Sequence, residues 1–189
     1  MPLRFTIRPY EPADQHAIEA LEHRVEVYRP EDATEVQAMR DRAARARESG
    51  AGWSPPQPEP DDIRDIGRWY AAFWVAVSEG AVTGMVGVRT RFMPGSAPPR
   101  DDWHRRDGIA ELRRLRVAPE AQRTGIGTAL TNVVIEWCRA QGLRVLYLHT
   151  TAAQIPARAM YERLGFRDVG HNFRGDFESV WYALDLEAT

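Results

Sequence analysis

The chain has 189 residues, 43% of them hydrophobic and 28% charged. That is long enough for a full core without staples and too apolar for disorder. The formal net charge is -2, so no global positive field draws the chain to a polyanion, and nucleic-acid binding is not expected.

One cysteine, Cys138, rules out an internal disulfide and fits a reducing cytosol. Met1 to Arg8 carries no long apolar core of a signal peptide, and no run nears the ~20 apolar residues of a membrane helix. The expectation is one cytoplasmic domain over residues 1–189, with no membrane partner.

Leu3 to Pro9 alternates, with Leu3, Phe5 and Ile7 against Arg4, Thr6 and Arg8, which predicts a half-exposed strand ended by Pro9. Asp14 caps a helix with the apolar stripe Ile18, Leu21, Val25 and Tyr28, closed by Pro30. Thr34 and Gln37 form a capping-box pattern for a second helix towards Glu48. Its run Arg40, Arg42, Arg45 and Arg47 reads as a solvated face. Ser49 to Pro60, rich in glycine and proline, reads as a long loop.

Phe73 to Ser78 and Ala81 to Arg91 flank Glu79-Gly80 as a strand hairpin, and a second polar loop covers Pro94 to Gly108. Ala110 to Val117 is a strand stopped by Pro119. From Gly125 a helix carries Ile126, Leu130, Val133, Val134, Trp137 and Cys138 on one face, with Gly142 as its stop. That placement makes Cys138 a core residue. Arg144 to His149 is a short apolar strand, Ala157 to Leu164 a helix stopped at Gly165, and Phe166 to Val169 and Ser179 to Leu186 closing strands. This order predicts an α/β architecture with a mixed sheet and helices on both faces.

The informative segment runs from Leu112 to Leu130, where a strand ends and the turn Gln122-Arg123-Thr124-Gly125-Ile126-Gly127 opens an amphipathic helix. Glycine lets a ligand approach the backbone closely. The first N–H groups of a helix have no internal partners and lie at its positive end, a socket for phosphate oxygens. Arg123 adds charge at the rim. A Walker A loop would need Gly-Lys-Ser/Thr, which is absent. A Rossmann fingerprint would want a small residue where Leu130 stands and an acidic residue where Thr150 and Thr151 stand. A purely structural reading, in which Gly125 and Gly127 allow tight helix–strand packing, stays open on the glycines alone.

The longer string, a Leu-x-Val-x-Pro strand end followed by Gln/Arg-x-x-Gly-x-Gly/Ala, resembles the acyl-CoA signature of the GNAT superfamily of N-acyltransferases. Ala157-Arg158-Ala159-Met160-Tyr161-Glu162-Arg163-Leu164-Gly165-Phe166 resembles that superfamily's second signature, and Ile7 to Asp14 its first strand-to-helix junction. The specific part runs from Glu111 to Phe166. One departure is Gln154, where the family usually has Asn seven residues before the motif tyrosine.

The resemblance implies a central twisted sheet whose fourth and fifth strands, Ala110 to Val117 and Arg144 to His149, splay apart. It implies acetyl-CoA as acyl donor, its pantetheine arm on backbone groups of Leu115, Arg116 and Val117. Its pyrophosphate would lie on the turn from Gln122 through Arg123, Thr124, Gly125, Ile126 and Gly127 to Thr128, with Gln154 as a further cofactor contact. The implied reaction is attack of an amine on a thioester. An alkyl ammonium with a pKa near ~10.4 must first lose a proton, which suggests Glu111 as base, through water. Tyr161 would be the acid that protonates the departing sulfur, and the Val117 N–H an oxyanion donor.

By strict alternation Glu111 shares a face with Leu115 and Val117, a relation that a bulge would change. Trp53, Trp69, Tyr70 and Trp74 are candidates to line the acceptor site, Trp53 as a lid, with core packing an equal reading for Trp74. His16, His23, His104 and His171 read as surface or loop residues, and His149, ending a strand, as structural. No histidine pair has metal-ligand spacing, so no metal is expected. A small-molecule amine is the expected acceptor and a protein amino group the alternative, with a homodimer possible. A non-catalytic CoA-binding sensor and a nucleotide-binding protein are the rivals.

Overall fold

The computed structural model describes residues 4–25, 33–50, 52–55, 61–91 and 108–187. Leu3, Tyr28, Pro30, His104 and most of the loop from Pro94 to Gly108 lie outside the described residues. The strands are β1 (Thr6–Pro9), β2 (Trp53–Ser54), β3 (Ala72–Ser78), β4 (Ala81–Arg89), β5 (Ile109–Val117), β6 (Val145–Thr151), β7 (Arg167–Arg174) and β8 (Phe177–Asp185). The helices are α1 (Gln15–Arg24), α2 (Ala33–Ser49), α3 (Ile66–Trp69), α4 (Ile126–Ala140) and α5 (Ile155–Arg163). All eight strands join one sheet in the order β1-β3-β4-β5-β6-β8-β7-β2. Pairing is antiparallel except at β5–β6 and β2–β7, so the expected mixed α/β sheet is present.

Helix α4 packs on one face of the sheet. A Cβ on Gly84 would stand 2.8 Å from an Ile126 methyl and 3.0 Å from one of Leu130, so only glycine lets the helix approach this closely. Side chains alternate along β4, and a Cβ on Gly87 would run instead into the rings of Tyr70 and Phe73 on the other face. There α1 and the segment Asp62–Tyr70 cover the sheet. Ile126, Leu130, Val134 and Cys138 of α4 are fully buried, as their spacing predicts. Burial alone pushes the Cys138 thiol up to about 12, so this cysteine is an inert core residue.

Three elements escaped the periodicity. Strand β2 forms inside the proline-rich loop because it needs a partner on one side only, and pairs with Phe173 and Arg174 of β7. Helix α3 is too short to show a period; the Asp65 side chain caps it by accepting from the Arg68 N–H at 3.1 Å. Strands β7 and β8 run on to a hairpin turn at Gly175-Asp176, since β8 supplies ladder partners for the polar stretch His171 to Arg174. No helix among the described residues is long and apolar enough to cross a membrane.

Because β2 precedes them, the splayed strands are β5 and β6. They pair in parallel only from Ile109 to Glu111 against Val145 to Tyr147. Beyond that rung β5 follows β4 as far as Val117↔Gly84, and β6 follows β8 as far as Thr151↔Ser179. The sheet therefore opens into a V whose apex is Glu111↔Tyr147.

Candidate active site

At the mouth of the V the chain leaves β5 through Pro119–Ala121 and turns into α4. Arg123 has φ +63° and Gly125 φ +93°, which aim the backbone of the turn outward. Gly125 is the N-cap residue and offers no side-chain cap. The first intrahelical bond runs from the Ala129 N–H to the Gly125 carbonyl at 3.0 Å, so the N–H groups of Ile126, Gly127 and Thr128 have no helical acceptor. A Cβ on Gly127 would lie 3.4 Å from Met160 Sδ on α5 and 3.8 Å from a Val117 methyl on β5. The turn, the end of β5 and α5 thus converge here. Thr124 Oγ1 donates to the Ala121 carbonyl at 2.6 Å and locks the turn.

Some predicted cofactor groups are already occupied within the protein. Gln122 Nε2 donates to the Val117 carbonyl at 3.3 Å, and Arg116 Nη1 to the Leu115 carbonyl at 3.2 Å. The Gln154 amide oxygen accepts from Thr150 Oγ1 at 2.8 Å. Its longer side chain folds back on β6, and its amide N–H groups stay available to a ligand.

Tyr161, on α5, is 5% exposed. Its ring packs edge-on to Phe166 at 5.7 Å and tilted against Tyr182 at 6.1 Å. Burial pushes its hydroxyl well above the ordinary tyrosine value, with the nearby Arg116 charge pulling the other way. The phenol is therefore protonated throughout the neutral range.

The opposite face carries a dense set of charges. Where Met85 pairs with Arg116 and Gly87 with Arg113, one β4 residue opposes Arg114 and Leu115 together, and Arg114 has φ +54°. This β-bulge breaks the alternation. Glu111 and the arginines that follow it share the α1 side, so strict alternation with Leu115 and Val117 does not hold. A non-glycine residue at positive φ costs on the order of 1–2 kcal/mol, and the Arg114 side chain offsets it with two ion pairs, to Glu22 at 2.6 Å and to Asp62 at 2.7 Å. Asp62 is fully buried; it also accepts from Tyr70 Oη at 2.6 Å and pairs with the buried Arg89, which lies over the Tyr70 ring. Burial alone would raise the Asp62 carboxyl, but Arg114, Tyr70 and Arg89 together hold it below the usual carboxylate value. Arg116 reaches Glu22 at 3.1 Å.

Glu111 is completely buried, with Arg113 Nη1 at 3.8 Å and His149 Nδ1 at 3.6 Å. Among the described residues neither of its oxygens has a hydrogen-bond partner. No group of three or more possible metal ligands occurs among the described residues.

The aromatic expectations divide. Tyr70 and Trp69 lie on the charged face beside Arg89, whereas Trp74 is core, edge-on to Trp137 at 6.0 Å. Trp53 is no lid. It sits on β2, with β7 and β8 between it and β6, its indole donating to the Gly175 carbonyl at 3.2 Å and its ring under Arg47. Trp53→Ala is therefore expected to leave acceptor KM within about twofold and to cost roughly 1–2 kcal/mol of packing, read by thermal melting. A tenfold rise in acceptor KM would restore the lid.

A model described as "Acetyltransferase (GNAT) family" matches residues 36–166, well over half of the sequence. The chain belongs to the acetyltransferase (GNAT) family. Among curated relatives, human N-acetyltransferase 8 is 37% identical over 117 residues, which span 59% of this chain and 48% of the relative. N-acetylaspartate synthetase of Xenopus tropicalis is 35% identical over 114 residues, 58% of this chain and 37% of the relative. The chain thus spans about half the length of these relatives or less.

Two solved structures share the family fold. The Escherichia coli ribosomal-protein-S18-alanine N-acetyltransferase superposes with TM-score 0.63 at 19% identity, covering 98% of this chain and 96% of that one. Salmonella typhimurium yncA, solved with acetyl-CoA, gives 0.59 at 19% identity, covering 98% and 95%.

Sequence reasoning singled out the glycine turn and Tyr161, which the fold brings to the V, but missed the charged face. Its trace is visible in Leu112-Arg113-Arg114-Leu115-Arg116, where arginines fill strand positions that alternation assigns to both faces. Buried arginines demand carboxylates from elsewhere in the chain, and Glu22 and Asp62 supply them.

Proposed function

We propose that this chain moves an acetyl group from acetyl-CoA directly to the amine of a small molecule, and that residues 1–189 do so as one domain. The observation that carries the reading is the V between β5 and β6, with the glycine turn at its mouth and Tyr161 beside it. When bound, acetyl-CoA supplies an activated thioester. The free amides of Ile126 to Thr128, with Arg123 at the rim, would hold its diphosphate. The unpaired edge of β5 from Leu115 to Val117 would hold the pantetheine arm, and the Gln154 amide would add a contact. The bound acetyl-CoA of the Salmonella neighbour supports the choice of donor.

Roles follow from burial and charge. Tyr161, kept protonated by its surroundings, donates towards the departing sulfur. The Val117 N–H serves the oxyanion. Glu111 draws the proton from the amine, through an intermediary because its carboxylate is sealed from the cleft.

Among the described residues the acceptor face holds Arg89, Arg113, Arg114 and Arg116 against Glu22, Asp62 and Glu111, a surplus of positive charge that suits an amine bearing a carboxylate. The relatives named for N-acetylaspartate synthesis fit that chemistry. The E. coli neighbour, named for a protein alanine, marks the protein-acceptor alternative.

The test is acetyl-CoA binding by calorimetry, then thiol release across amino acids, carboxylate-free amines and peptides. Turnover with amino acids is expected; turnover with peptides alone would move the acceptor to protein. Tight binding with no turnover for any amine would leave a CoA sensor. Tyr161→Phe removes one hydroxyl and keeps the ring packing, so acetyl-CoA affinity should hold. A thiol with a pKa near ~8.5 is a stronger acid than this buried phenol, so Tyr161 helps by hydrogen bonding to developing charge rather than by complete transfer. The expected loss in kcat is therefore about 10- to 100-fold, below the range of a full general acid. An unchanged kcat would reduce Tyr161 to packing.

A further inference from the structure

Glu111 and Tyr147 form the last paired rung before β5 and β6 part. Side chains alternate along a strand, so Arg113 and His149 are the next residues on that face, one on each arm of the V. They meet across the gap: Arg113 Nη1 lies 2.9 Å from His149 Nε2 and 3.4 Å from Nδ1. The His149 ring rests against Trp181, with centroids 4.5 Å apart, and its Nδ1 faces Glu111 at 3.6 Å. A guanidinium can only donate, so in the neutral tautomer with its proton on Nδ1 the ring accepts through Nε2.

Exposure then divides the labour. Glu111 is 0% exposed and no substrate can touch it, whereas the His149 side chain is 15% exposed. Resting on the acetyl-transfer reading, we propose that His149 is the group that takes the proton from the acceptor amine, with Glu111 behind it as the fixed countercharge and Arg113 as the carboxylate-sensing guard of its lone pair. In the step, the N–H bond of the acceptor ammonium breaks and its electron pair stays on nitrogen as the nucleophilic lone pair. The proton forms a new bond to His149 Nε2. The imidazolium is balanced by Glu111 and releases the proton to water through its exposed edge. Sequence reasoning set His149 aside as a strand-end residue because Glu111 and Arg113, which meet it, come from another strand.

Arg113 must leave Nε2 before that nitrogen can accept a proton. A carboxylate on the acceptor is the competing partner: guanidinium–carboxylate contacts are charge-assisted and bidentate, and stronger than a contact to a neutral ring. Binding of the acceptor thereby frees the base. Amines lacking a carboxylate leave Arg113 in place.

Wild-type turnover with amino acids and with their amides is measured first, because its absence would overturn the acetyl-transfer reading itself. His149→Gln and His149→Asn, shown folded by thermal melting and by unchanged acetyl-CoA affinity, are expected to lose about 100-fold in kcat. They should also lose the acid limb of the kcat/KM pH profile and regain activity when imidazole is added. The described charged groups facing the ring are Glu111 and Arg113 on β5, with uncharged Trp181 on β8. Arg113→Gln should raise KM about tenfold for amino acids and leave KM for their amides unchanged. Wild-type turnover with kcat retained within threefold in both histidine variants, or an acid limb that survives them, would overturn the role of His149. An equal rise in KM for amides would overturn that of Arg113.

Discussion

Asp62→Ala is expected to destabilise the protein by about 3–5 kcal/mol, the usual result of removing one member of a buried ion pair. For a chain of this size the melting temperature should fall by on the order of 10 °C. Asp62 has no exposed surface and collects Tyr70, Arg89 and Arg114 around two oxygens. Without it Arg89, itself 2% exposed, keeps its charge inside the protein, met among the described residues by the Tyr70 hydroxyl at 3.3 Å and the faces of Trp69 and Tyr70. Arg114 keeps Glu22 but loses the second anchor that holds its backbone at positive φ.

The cost therefore comes from stranded charge more than from a lost contact. Asp62→Ala combined with Arg89→Met should recover much of the loss, whereas a double variant as unstable as the single one would assign the cost to packing. The acid side has a definite sign. The carboxyl is held below its unfolded value, so its contribution is complete above the ordinary aspartate pKa of ~3.9 and disappears as pH falls through the lower folded value. Asp62→Asn should flatten that part of the stability profile below about pH 4; an unchanged acid limb would assign it to other carboxylates.

The difference between what could and could not be read in the sequence has a physical basis. Helix α4 was legible because local signals agree: a glycine turn opens it, Ile126, Leu130, Val134 and Cys138 repeat at helical spacing, and Gly142 stops it. The split between β5 and β6 was legible only through the two signatures that flank it, since nothing in the residues of either strand states where pairing ends. The charged face was hidden because it is non-local. Glu22 on α1, Asp62 before α3, Arg89 on β4 and Arg114 on β5 are brought together by the fold, and each alone reads as a surface charge. Trp53 failed for the same reason: the proline-rich segment around it signals a loop, and its strand exists only because β7 offers an edge.

Gly127→Leu is expected to weaken acetyl-CoA binding by about 10³-fold with little loss of stability. The position is half-buried, and a Cβ there would stand at ordinary to tight contact with Met160 Sδ and a Val117 methyl. Alanine needs only a small adjustment of a flexible methionine and should bind nearly as well as wild type. Leucine has to project into the mouth of the V, over the amides of Ile126 to Thr128.

Hydrogen bonds to a charged group contribute about 1.5–3 kcal/mol each, so two lost bonds amount to roughly 3–6 kcal/mol, or about 10²–10⁴ in affinity. Gly125→Val separates conformation from space. A Cβ on Gly125 would meet no atom within 4 Å, but φ is +93°, so valine should cost stability and affinity together by shifting the turn. Calorimetric titration with acetyl-CoA beside thermal melts distinguishes the two variants. Wild-type affinity in Gly127→Leu would mean that the glycines serve helix–strand packing alone and that the diphosphate, if bound at all, lies elsewhere.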